Sequence, residues 1–406
     1  MRRAAVFLAV FFALLVLHTT PAWGKPGITG QSAVLIDGIS GQILFEQEKD
    51  TKLPPASVTK ILTAILAIES GKLDDIVTIG VNPPLAEGTK VYLEAGERVK
   101  LRDLVMAAMV HSANDAACAI AEYLGSSQEG FAQMMNAKAK ELGAVNSNFR
   151  NPHGLTEEGH YTTAYDLALI SRYAMNNETF RQVVQSKILD WQGEKWQTRL
   201  ININELLWSY DGAIGIKTGY TKESRNTIVA SAVRDDRMYI AVVLNSAGQA
   251  IWEDAKKLLD YGFSDFQHLE LASSGSIAAN IEVDDNRSLQ LVSKDSFSLS
   301  VAADAAKKVE SRITLEPLAG KITKGEIVGK LQFTIDGNDV GGVDLIAGND
   351  SDPPLELSNI FLYIGAGLFG LQVLWRIYLL LRRRRRKAYN YRRQYYQGYN
   401  RINRDI

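Results

Sequence analysis

Hydrophobic and polar residues follow patterns that predict a mixed α/β domain after the first 24 residues. Residues 32–47 (SAVLIDGISGQILFEQ) form two short apolar runs around a Gly-containing turn, which predicts a β-hairpin. Residues 58–70 (VTKILTAILAIES) are apolar almost all round, which is typical of a helix buried between layers. Helical spacing continues through residues 101–124, 131–142 and 163–175.

The pattern returns to β-structure in the second half of the chain. Residues 226–245 contain two apolar runs split by an Asp-Asp turn, which predicts a second hairpin, and residues 253–263 predict an amphipathic helix. Beyond residue 263, short runs rich in Val, Ile, Leu and Thr alternate with Asp-Asn, Gly-Lys and Asp-Gly turns. This alternation of short apolar runs and turns predicts a small all-β domain over residues 265–350.

The first 24 residues have the composition of a secretory signal peptide. Arg2 and Arg3 precede an apolar stretch, and the small residues Ala22 and Gly24 precede the expected cleavage site. An N-terminal anchor helix is the alternative, although the apolar stretch is shorter than the ~20 residues that a bilayer requires.

The other end carries a longer apolar segment. Residues 359–381 (NIFLYIGAGLFGLQVLWRIYLLL) are long enough to cross a membrane as a helix, and an unbroken basic run follows at 382–387. The single charge of the segment, Arg376, lies near its basic end, where its side chain can reach the interface. The segment therefore predicts a transmembrane helix with its basic side in the cytoplasm, and a buried core helix is the alternative.

Charge is distributed unevenly along the chain. Residues 382–406 carry nine Arg, one Lys and one Asp, and the full chain has a net charge of −1. The exported portion therefore carries about −13, once the +9 of this tail, the +1 of Arg376 and the +2 of the N-terminal arginines are removed. Five tyrosines interleave with the tail arginines, as in some nucleic-acid-binding segments. A position directly below a membrane span favours anionic lipid headgroups instead.

The strongest candidate for chemistry is the tetrapeptide Ser57-Val58-Thr59-Lys60 at the start of the buried helix. On a helix, a spacing of three residues places a serine hydroxyl and a lysine ammonium on one face. A serine hydroxyl is a weak nucleophile at neutral pH, and a lysine whose charge is disfavoured by burial can serve as its base. The pattern is nevertheless common by chance, and a helix-capping serine followed by a solvated lysine would also produce it.

Two further motifs follow in a fixed order. The tripeptide S-A-N occupies residues 112–114 in a predicted helical region, and K-T-G occupies residues 217–219 in a predicted strand. The order S-x-x-K, S-x-N, K-T-G is the motif set of penicillin-recognising serine enzymes. A Ser/Asn pair can relay protons and hold an amide, while Lys and Thr can bind a carboxylate. The glycine allows a substrate backbone to lie close to the edge strand.

With these motifs, the chain resembles the low-molecular-mass penicillin-binding proteins, the serine-type D-Ala-D-Ala carboxypeptidases. The resemblance runs from about Ser32 to Phe263 through PPASVTKILTA, SANDAACAIAE, MNAKAKELGAVNSNFRNPHGL, HYTTAYDLA, GIKTGYT and AKKLLDYGF. It implies the following roles: Ser57 as acylated nucleophile, Lys60 as its base, Ser112 as proton relay, Asn114 as amide clamp, Lys217 and Thr218 as ligands of the terminal carboxylate beside Gly219, and the backbone N–H groups of Ser57 and Tyr220 as the oxyanion hole.

The chain departs from this family at two points. The family usually has an Ala-Gly pair after K-T-G, and Ser224-Arg225 stands here instead. Many members carry an arginine where this chain has Ile251, so an additional cation for the substrate carboxylate is in doubt. Arg225 is a candidate to replace it.

Other residues suggest rival chemistry. His153, His160 and Asp166 could form a zinc site, and a zinc carboxypeptidase would act on the same kind of bond. The resemblance places both histidines in a structural stretch instead. The single cysteine, Cys118, lies in an apolar run and is interpreted as a core residue. His111, beside the S-A-N motif, is interpreted as a packing or hydrogen-bonding neighbour of the site.

The expected architecture is a transpeptidase/β-lactamase-like α/β (α+β) domain, with an antiparallel sheet flanked by helices, followed by a small all-β sandwich and a C-terminal transmembrane helix. The expected boundaries are 1–24 for the signal peptide, 25–264 for the penicillin-binding carboxypeptidase domain, 265–350 for the β-sandwich spacer, 351–358 for a linker, 359–381 for the transmembrane helix and 382–406 for the basic, Tyr-rich cytoplasmic tail.

The expected reaction is hydrolysis of the terminal D-Ala-D-Ala bond of peptidoglycan stem pentapeptides, with no cofactor and no metal. Expected partners are these stem peptides, β-lactam antibiotics and the cell membrane, and nucleic acid is not expected. A β-lactamase would share all three motifs but needs a carboxylate-activated water for deacylation. A non-enzymatic penicillin-binding scaffold is a second alternative, because the Ser224-Arg225 departure could have removed turnover.

Overall fold

The computed structural model describes residues 25–284, 287–302, 308–318, 320–353 and 357–402. The predicted signal peptide, and residues 354–356 of the predicted linker, lie outside these described residues. The chain forms two compact units. The first contains residues up to Ser274 together with Asp295–Arg312 and Gln332–Val343, and the second contains Gly275–Lys294, Ile313–Leu331 and the residues from Asp344 onward.

Strands and helices are mixed along residues 32–265, strands follow over residues 266–347, and one long helix ends the described chain. The described strands are β1 (Ser32–Asp37), β2 (Ile43–Gln47), β3 (Ile76–Thr78), β4 (Arg98–Lys100), β5 (Ile188–Gln192), β6 (Gln197–Ile201), β7 (Ala213–Thr221), β8 (Arg225–Arg234), β9 (Arg237–Ser246), β10 (Phe266–Ala272), β11 (Ile277–Asp284), β12 (Arg287–Ser293), β13 (Phe297–Ala302), β14 (Val309–Leu315), β15 (Ile327–Ile335) and β16 (Asn338–Ala347). The described α-helices are α1 (Lys60–Glu69), α2 (Leu101–Val110), α3 (Asn114–Gly125), α4 (Gln128–Glu141), α5 (Ala164–Met175), α6 (Glu178–Gln185), α7 (Leu206–Ser209), α8 (Ala250–Asp265) and α9 (Leu357–Ile402).

An antiparallel sheet of five strands, in the order β2-β1-β9-β8-β7, forms the centre of the first unit. All six residues of β1 are buried. Val34 and Ile36 belong to one hydrophobic cluster, and Ala33 and Leu35 belong to another. Because successive side chains of a strand point to opposite faces, β1 is covered by a core on both sides. The two predicted hairpins are confirmed as β1-β2 and β8-β9.

Helix α1 lies inside the larger of the two cores. Every residue of α1 except Glu69 is buried, which confirms the prediction from its nearly uniform apolar sequence. A short 3₁₀ turn, Ala56–Thr59, precedes α1, so that Lys60 is the first residue of the α-helix. The nucleophile candidate therefore lies in the turn that leads into a buried helix.

The helix predicted over residues 101–124 is wrong as a single element, because it is broken between α2 and α3. The break contains Ser112, whose φ of 65° lies in the left-handed region. At the break the backbone N–H of Ala113 still bonds to Ala107 O, whereas that of Asn114 donates to Thr89 O at 2.7 Å. The contact with a distant loop replaces a local helical bond, and side-chain periodicity carries no information about it.

The residues after α8 confirm the predicted all-β character. Strand β10 pairs with β13, and β11-β12-β16-β15-β14 form a second five-stranded sheet. The α8 prediction is also confirmed, with three more residues at its start and two more at its end than the periodicity indicated.

Helix α9 runs for 46 residues without a break. Its segment Phe361–Ala388 is long and apolar enough to cross a membrane, judged by length and composition, and none of its most apolar window is buried. Solvent-exposed apolar side chains exclude a buried core helix. The helix also continues through the basic run, although the predicted span ended at residue 381.

Candidate active site

Ser57 lies in the 3₁₀ turn that precedes α1, and Lys60, three residues later, is the first residue of α1. Lys60 Nζ lies 3.0 Å from Ser57 Oγ, 2.6 Å from Asn114 Oδ1 and 2.8 Å from the backbone oxygen of His153. The structure therefore brings the first two motifs together around one amine. The alternative of a solvated lysine is wrong, because the side chain of Lys60 is completely buried.

Burial changes the acid–base behaviour of Lys60. The loss of hydration holds the pKa of Lys60 well below its usual range, and the positive charge of Lys217 lowers it further. Both causes disfavour the ammonium form. A neutral amine at this position is the form that can accept a proton from a serine hydroxyl.

Asn114 connects this amine to a loop on the opposite side. Its Nδ2 donates to Glu87 O at 2.7 Å, which leaves Oδ1 directed at Lys60. The neighbouring carboxylate of Asp115 is buried and accepts hydrogen bonds from the backbone N–H groups of Val91 and Leu93 at 3.1 Å. The loop at residues 87–93 is thereby fixed to the start of α3, and so is the position of Asn114.

The third motif lies on β7, the edge strand of the sheet. Lys217 is paired with Val229 of β8, and its side chain is only 2 % exposed, with Nζ 3.1 Å from Thr218 O. Burial lowers the pKa of Lys217 to about 7. An anionic ligand at this point would restore the charged form, because a nearby negative charge favours the ammonium.

A cleft of about 260 Å³ brings the motifs to the surface. Ser57, Ser112, Thr218, Gly219 and Tyr220 all line it. Lys60, Asn114 and Lys217 are buried next to these residues. The structure thus brings the predicted site residues to one place, with the nucleophile candidate in the cleft and the titratable groups behind it.

Gly219 lies where the edge strand approaches the nucleophile most closely. A Cβ at this position would lie 2.6 Å from Ser57 N and 2.7 Å from Thr227 Oγ1. Thr227 Oγ1 also donates to Pro55 O at 2.9 Å, which fixes the residues before Ser57 against β8. The absence of a side chain at Gly219 is therefore a requirement of the site.

The motif resemblance implies acylation of Ser57 by penicillin, and we expect Gly219→Ala to slow this reaction by about tenfold to a hundredfold, because the new methyl group displaces the backbone N–H of Ser57. The measurement is the second-order rate constant for acylation. Gly27→Ala is the matched control, since a Cβ there meets nothing within 4 Å. A wild-type rate for Gly219→Ala would contradict this account of the close approach.

The two histidines of the candidate zinc site are engaged in structural hydrogen bonds. Nδ1 of His153 accepts from the N–H of Leu155 at 3.2 Å, and Nδ1 of His160 accepts from the N–H of Arg150 at 3.0 Å. Nε2 of His160 lies 3.1 Å from Thr59 Oγ1. Burial lowers the pKa of His153 to about 3 and that of His160 to about 4, so both rings are neutral at physiological pH.

Asp166, the third residue of that candidate, serves another purpose. Its Oδ2 accepts from the N–H of Asn146 at 2.8 Å and from Ser147 Oγ at 2.7 Å, at the start of α5. Within the described part of the chain, no group of three or more His, Cys, Asp or Glu side chains could hold a metal ion.

Cys118 and His111 are both close to the site without taking part in its hydrogen-bond network. Burial raises the pKa of the Cys118 thiol to about 12, which is consistent with its interpretation as a core residue. His111 lies at the end of α2, and its buried Nδ1 has no hydrogen-bond partner among the described residues. Burial and the charge of Lys217 both lower the pKa of His111.

Of the two departures from the family pattern, only Ile251 is among the described residues that line the cleft. The Ser224 hydroxyl accepts from the N–H of Thr221 at 3.0 Å and so closes the β7-β8 turn. Arg225 begins β8 with a φ of 51°, in the left-handed region that suits glycine better. Ile251 and Trp252 line the cleft, whereas Arg225 is not among its described lining residues.

Several contributors to the site were not found from the sequence. The backbone oxygen of His153 holds Lys60, but any residue type supplies a carbonyl. Ile203 and Thr227 line the cleft. For Asp115 a signal existed, because a carboxylate at the start of an apolar helix is costly to bury unless it is hydrogen-bonded.

Comparison with known proteins identifies related families over most of the chain. Residues 19–248 match the family model of D-alanyl-D-alanine carboxypeptidases, and residues 266–352 match the C-terminal domain of penicillin-binding protein 5. The chain is 33% identical over 319 residues to D-alanyl-D-alanine carboxypeptidase DacF of Bacillus subtilis, covering 76% of this chain and 82% of that protein. It is 32% identical over 332 residues to DacC of Escherichia coli, with coverages of 78% and 82%.

A solved structure shares the same architecture. Penicillin binding protein 5 from Haemophilus influenzae superimposes with a TM-score of 0.73 at 28% sequence identity. The match covers 82% of this chain and 100% of that structure. The transpeptidase/β-lactamase-like domain and the β-sandwich that follows it are therefore confirmed as the fold of this chain.

Proposed function

The chain belongs to the D-alanyl-D-alanine carboxypeptidase family, and from this premise we propose that it releases the terminal D-alanine of peptidoglycan stem peptides through an acyl-enzyme on Ser57. The observation that carries the proposal is the position of Lys60 Nζ, 3.0 Å from Ser57 Oγ and surrounded by two further acceptors. β-Lactams acylate the same serine. Replacement of Ser57 by alanine, with release of D-alanine as the readout, tests the proposal.

The hydrogen-bond capacity of Lys60 supports its role as the base. A neutral amine has two N–H donors and one lone pair. Asn114 Oδ1 and His153 O can only accept hydrogen bonds, so they take both donors. The lone pair is then left for the hydroxyl proton of Ser57.

The reaction proceeds in two halves. Ser57 Oγ attacks the carbonyl carbon of the penultimate D-alanine and transfers its proton to Lys60. The C–N bond then breaks, and the proton that Lys60 took passes through Ser112 to the leaving amine of the terminal D-alanine, which leaves Lys60 neutral again. After D-alanine has left, a water molecule attacks the ester and gives one proton to Lys60. Lys60 returns this proton to Ser57 Oγ as the ester C–O bond breaks, and the stem peptide leaves with a new carboxyl group.

The remaining cleft residues bind and polarise the substrate. Lys217 and Thr218 take the terminal carboxylate, and Asn114 holds the substrate amide. The N–H groups of Ser57 and Tyr220 point to the oxygen on which negative charge develops. The close approach of Gly219 to Ser57 supports this arrangement, since it places the edge strand beside the nucleophile.

The β-lactamase alternative has less support. Its deacylation step needs a carboxylate that activates water, and the described residues that line the cleft include neither Asp nor Glu. The family match also favours the carboxypeptidase.

We expect release of D-alanine to be unchanged after treatment with EDTA, because every proposed step uses side chains of the chain itself. The measurement is D-alanine release from a stem-peptide analogue before and after chelation. Loss of activity on chelation that zinc restores would favour a metal site formed by His153, His160 and Asp166 over the serine mechanism.

We further propose that α9 anchors the enzyme in the cytoplasmic membrane. Residues from 25 to about 353 would lie outside, as a catalytic domain over 25–264 and a spacer over 265–350, and residues 382–406 would lie in the cytoplasm. Basic residues flank one end of the apolar segment, while Asp350, Asp352 and Glu356 flank the other, and this asymmetry supports the orientation.

We expect a protease added to intact cells with an exposed membrane surface to release a soluble fragment that still binds penicillin. The tail should remain with the cells, protected by the membrane. Antibodies against the fragment and against residues 393–406 provide the two readouts. Cleavage of the tail, with the catalytic domain protected, would show the opposite orientation.

A further inference from the structure

The basic run at the end of the apolar segment is part of the same helix as the span. Helix α9 extends from Leu357 to Ile402, so residues 382–387 have helical spacing. On a helix, residues three and four apart lie on the same side. Arg385 and Arg386 are three and four residues after Arg382, so both lie on its side of the helix. These three arginines and Asn390 line one shallow concavity.

The other three basic residues of the run lie on the opposite side. By helical spacing of about 100° per residue, Arg383, Arg384 and Lys387 centre roughly 150° away from the first set. The run is thus divided into two faces of equal charge. Only the first set lines the concavity with Asn390.

From this division we propose that Arg382, Arg385, Arg386 and Asn390 form a binding site for the phosphate of an anionic phospholipid headgroup. The proposal rests on the membrane span proposed above. Guanidinium groups bind phosphate oxygens through paired N–H donors, and the amide of Asn390 offers a further donor. The expected ligand is a lipid with a net negative charge, such as phosphatidylglycerol.

The depth of the site fits a headgroup. Arg382 directly follows the last apolar residue, and at about 1.5 Å per residue Arg386 lies about 6 Å farther along the axis. The polar layer on each side of a bilayer is about 5–7 Å thick. All three arginines therefore occupy the depth at which lipid phosphates are found.

The charge of the helix favours an external anion. No Asp or Glu occurs between Leu357 and Ile402, so the helix itself offers no carboxylate to these arginines. Like charges three and four residues apart repel each other. A phosphate bound between the three guanidinium groups reduces this repulsion.

Position also favours a lipid over a nucleic acid, which offers the same phosphate chemistry. A lipid phosphate is held next to the span by the bilayer, whereas a nucleic acid would have to displace the lipids from the same depth. The experiment also shows whether the arginine site prefers a soluble polyanion to a lipid.

The test uses the full-length protein in zwitterionic detergent, titrated with phosphatidylglycerol and followed by native mass spectrometry. The variant R382Q/R385Q/R386Q is compared with R383Q/R384Q/K387Q, which loses the same charge from the opposite face. We expect the first variant to bind phosphatidylglycerol at least about tenfold more weakly than wild type, and the control to change less than about threefold. Phosphatidylcholine should bind weakly to all three proteins.

Several results would overturn the proposal. Equal losses in both variants would show general charge attraction without a defined face, and absence of phosphatidylglycerol binding by wild type would remove the site. Displacement of the lipid by inorganic phosphate or by a short oligonucleotide at matched phosphate concentration would assign the site to a soluble anion. Extraction of the wild-type protein from vesicles by alkaline carbonate would contradict the span, whereas penicillin labelling tests the catalytic proposal separately.

Discussion

Replacing Ser57 with alanine is expected to lower the release of D-alanine by at least about a thousandfold. The variant retains Lys60, the carboxylate-binding residues and the backbone donors, but it has no oxygen that can attack the substrate. Residual catalysis would come from substrate binding and polarisation alone. The measurement is kcat/KM for a stem-peptide analogue.

The same variant should fold normally. The substitution removes one oxygen, whose hydrogen bond is the 3.0 Å contact with Lys60 Nζ, so the free energy of unfolding should change by about 1 kcal/mol. Ser70→Ala is a suitable control, because Ser70 follows the opposite end of α1 and bonds to Ala67 O. Wild-type turnover by Ser57→Ala would exclude the acyl-enzyme. A wild-type protein that binds penicillin without turnover would be a scaffold.

Lys60→Ala is expected to slow acylation by penicillin by about a hundredfold to ten-thousandfold, which is the range for loss of a general base. Lys60→Arg separates the base from the charge, because arginine keeps donors but does not release its proton. Acylation by penicillin should therefore be slow in both variants. The alanine variant should also lose about 1–3 kcal/mol of stability for each acceptor left without a donor, and thermal unfolding measures this loss separately.

The pH profile of kcat/KM gives an independent readout of the same base. Lys60 must be neutral, so the rate falls as the pH drops through its pKa, which burial and Lys217 hold well below 10.5. Lys217 must be charged to bind a carboxylate, so the rate also falls as the pH rises above about 7. The profile of kcat/KM against pH is therefore expected to be bell-shaped, with its alkaline limb near pH 7. An acid limb of the profile near pH 10.5 would contradict a buried, neutral Lys60. Acylation of Lys60→Arg at the wild-type rate would also contradict it.

The sequence was sufficient to predict the elements whose periodicity reflects their burial. Helix α1 is apolar on nearly every face and is buried on nearly every face, and β8-β9 form the hairpin that their apolar runs indicated. The motifs at residues 57–60, 112–114 and 217–219 also meet at one cleft, as their resemblance to a known family implied. Site residues could thus be predicted from the sequence where their function depends on the type of side chain.

The remaining features depend on contacts between distant parts of the backbone. The break between α2 and α3 arises because Asn114 N–H bonds to Thr89 O, and Lys60 is held partly by the backbone oxygen of His153. Every residue type has a backbone carbonyl, so the sequence could not predict which carbonyl makes either contact. The hairpin β5-β6 and helices α6 and α7 were missed because their segments are short and partly exposed.

The most direct test of the central claim is mass spectrometry of the purified enzyme after reaction with penicillin, with mapping of the modified peptide. The account predicts one adduct, of the mass of intact penicillin, on the peptide that contains Ser57. The adduct should be absent from Ser57→Ala. An adduct on Ser112 or Cys118, or an adduct that persists in Ser57→Ala, would contradict the account.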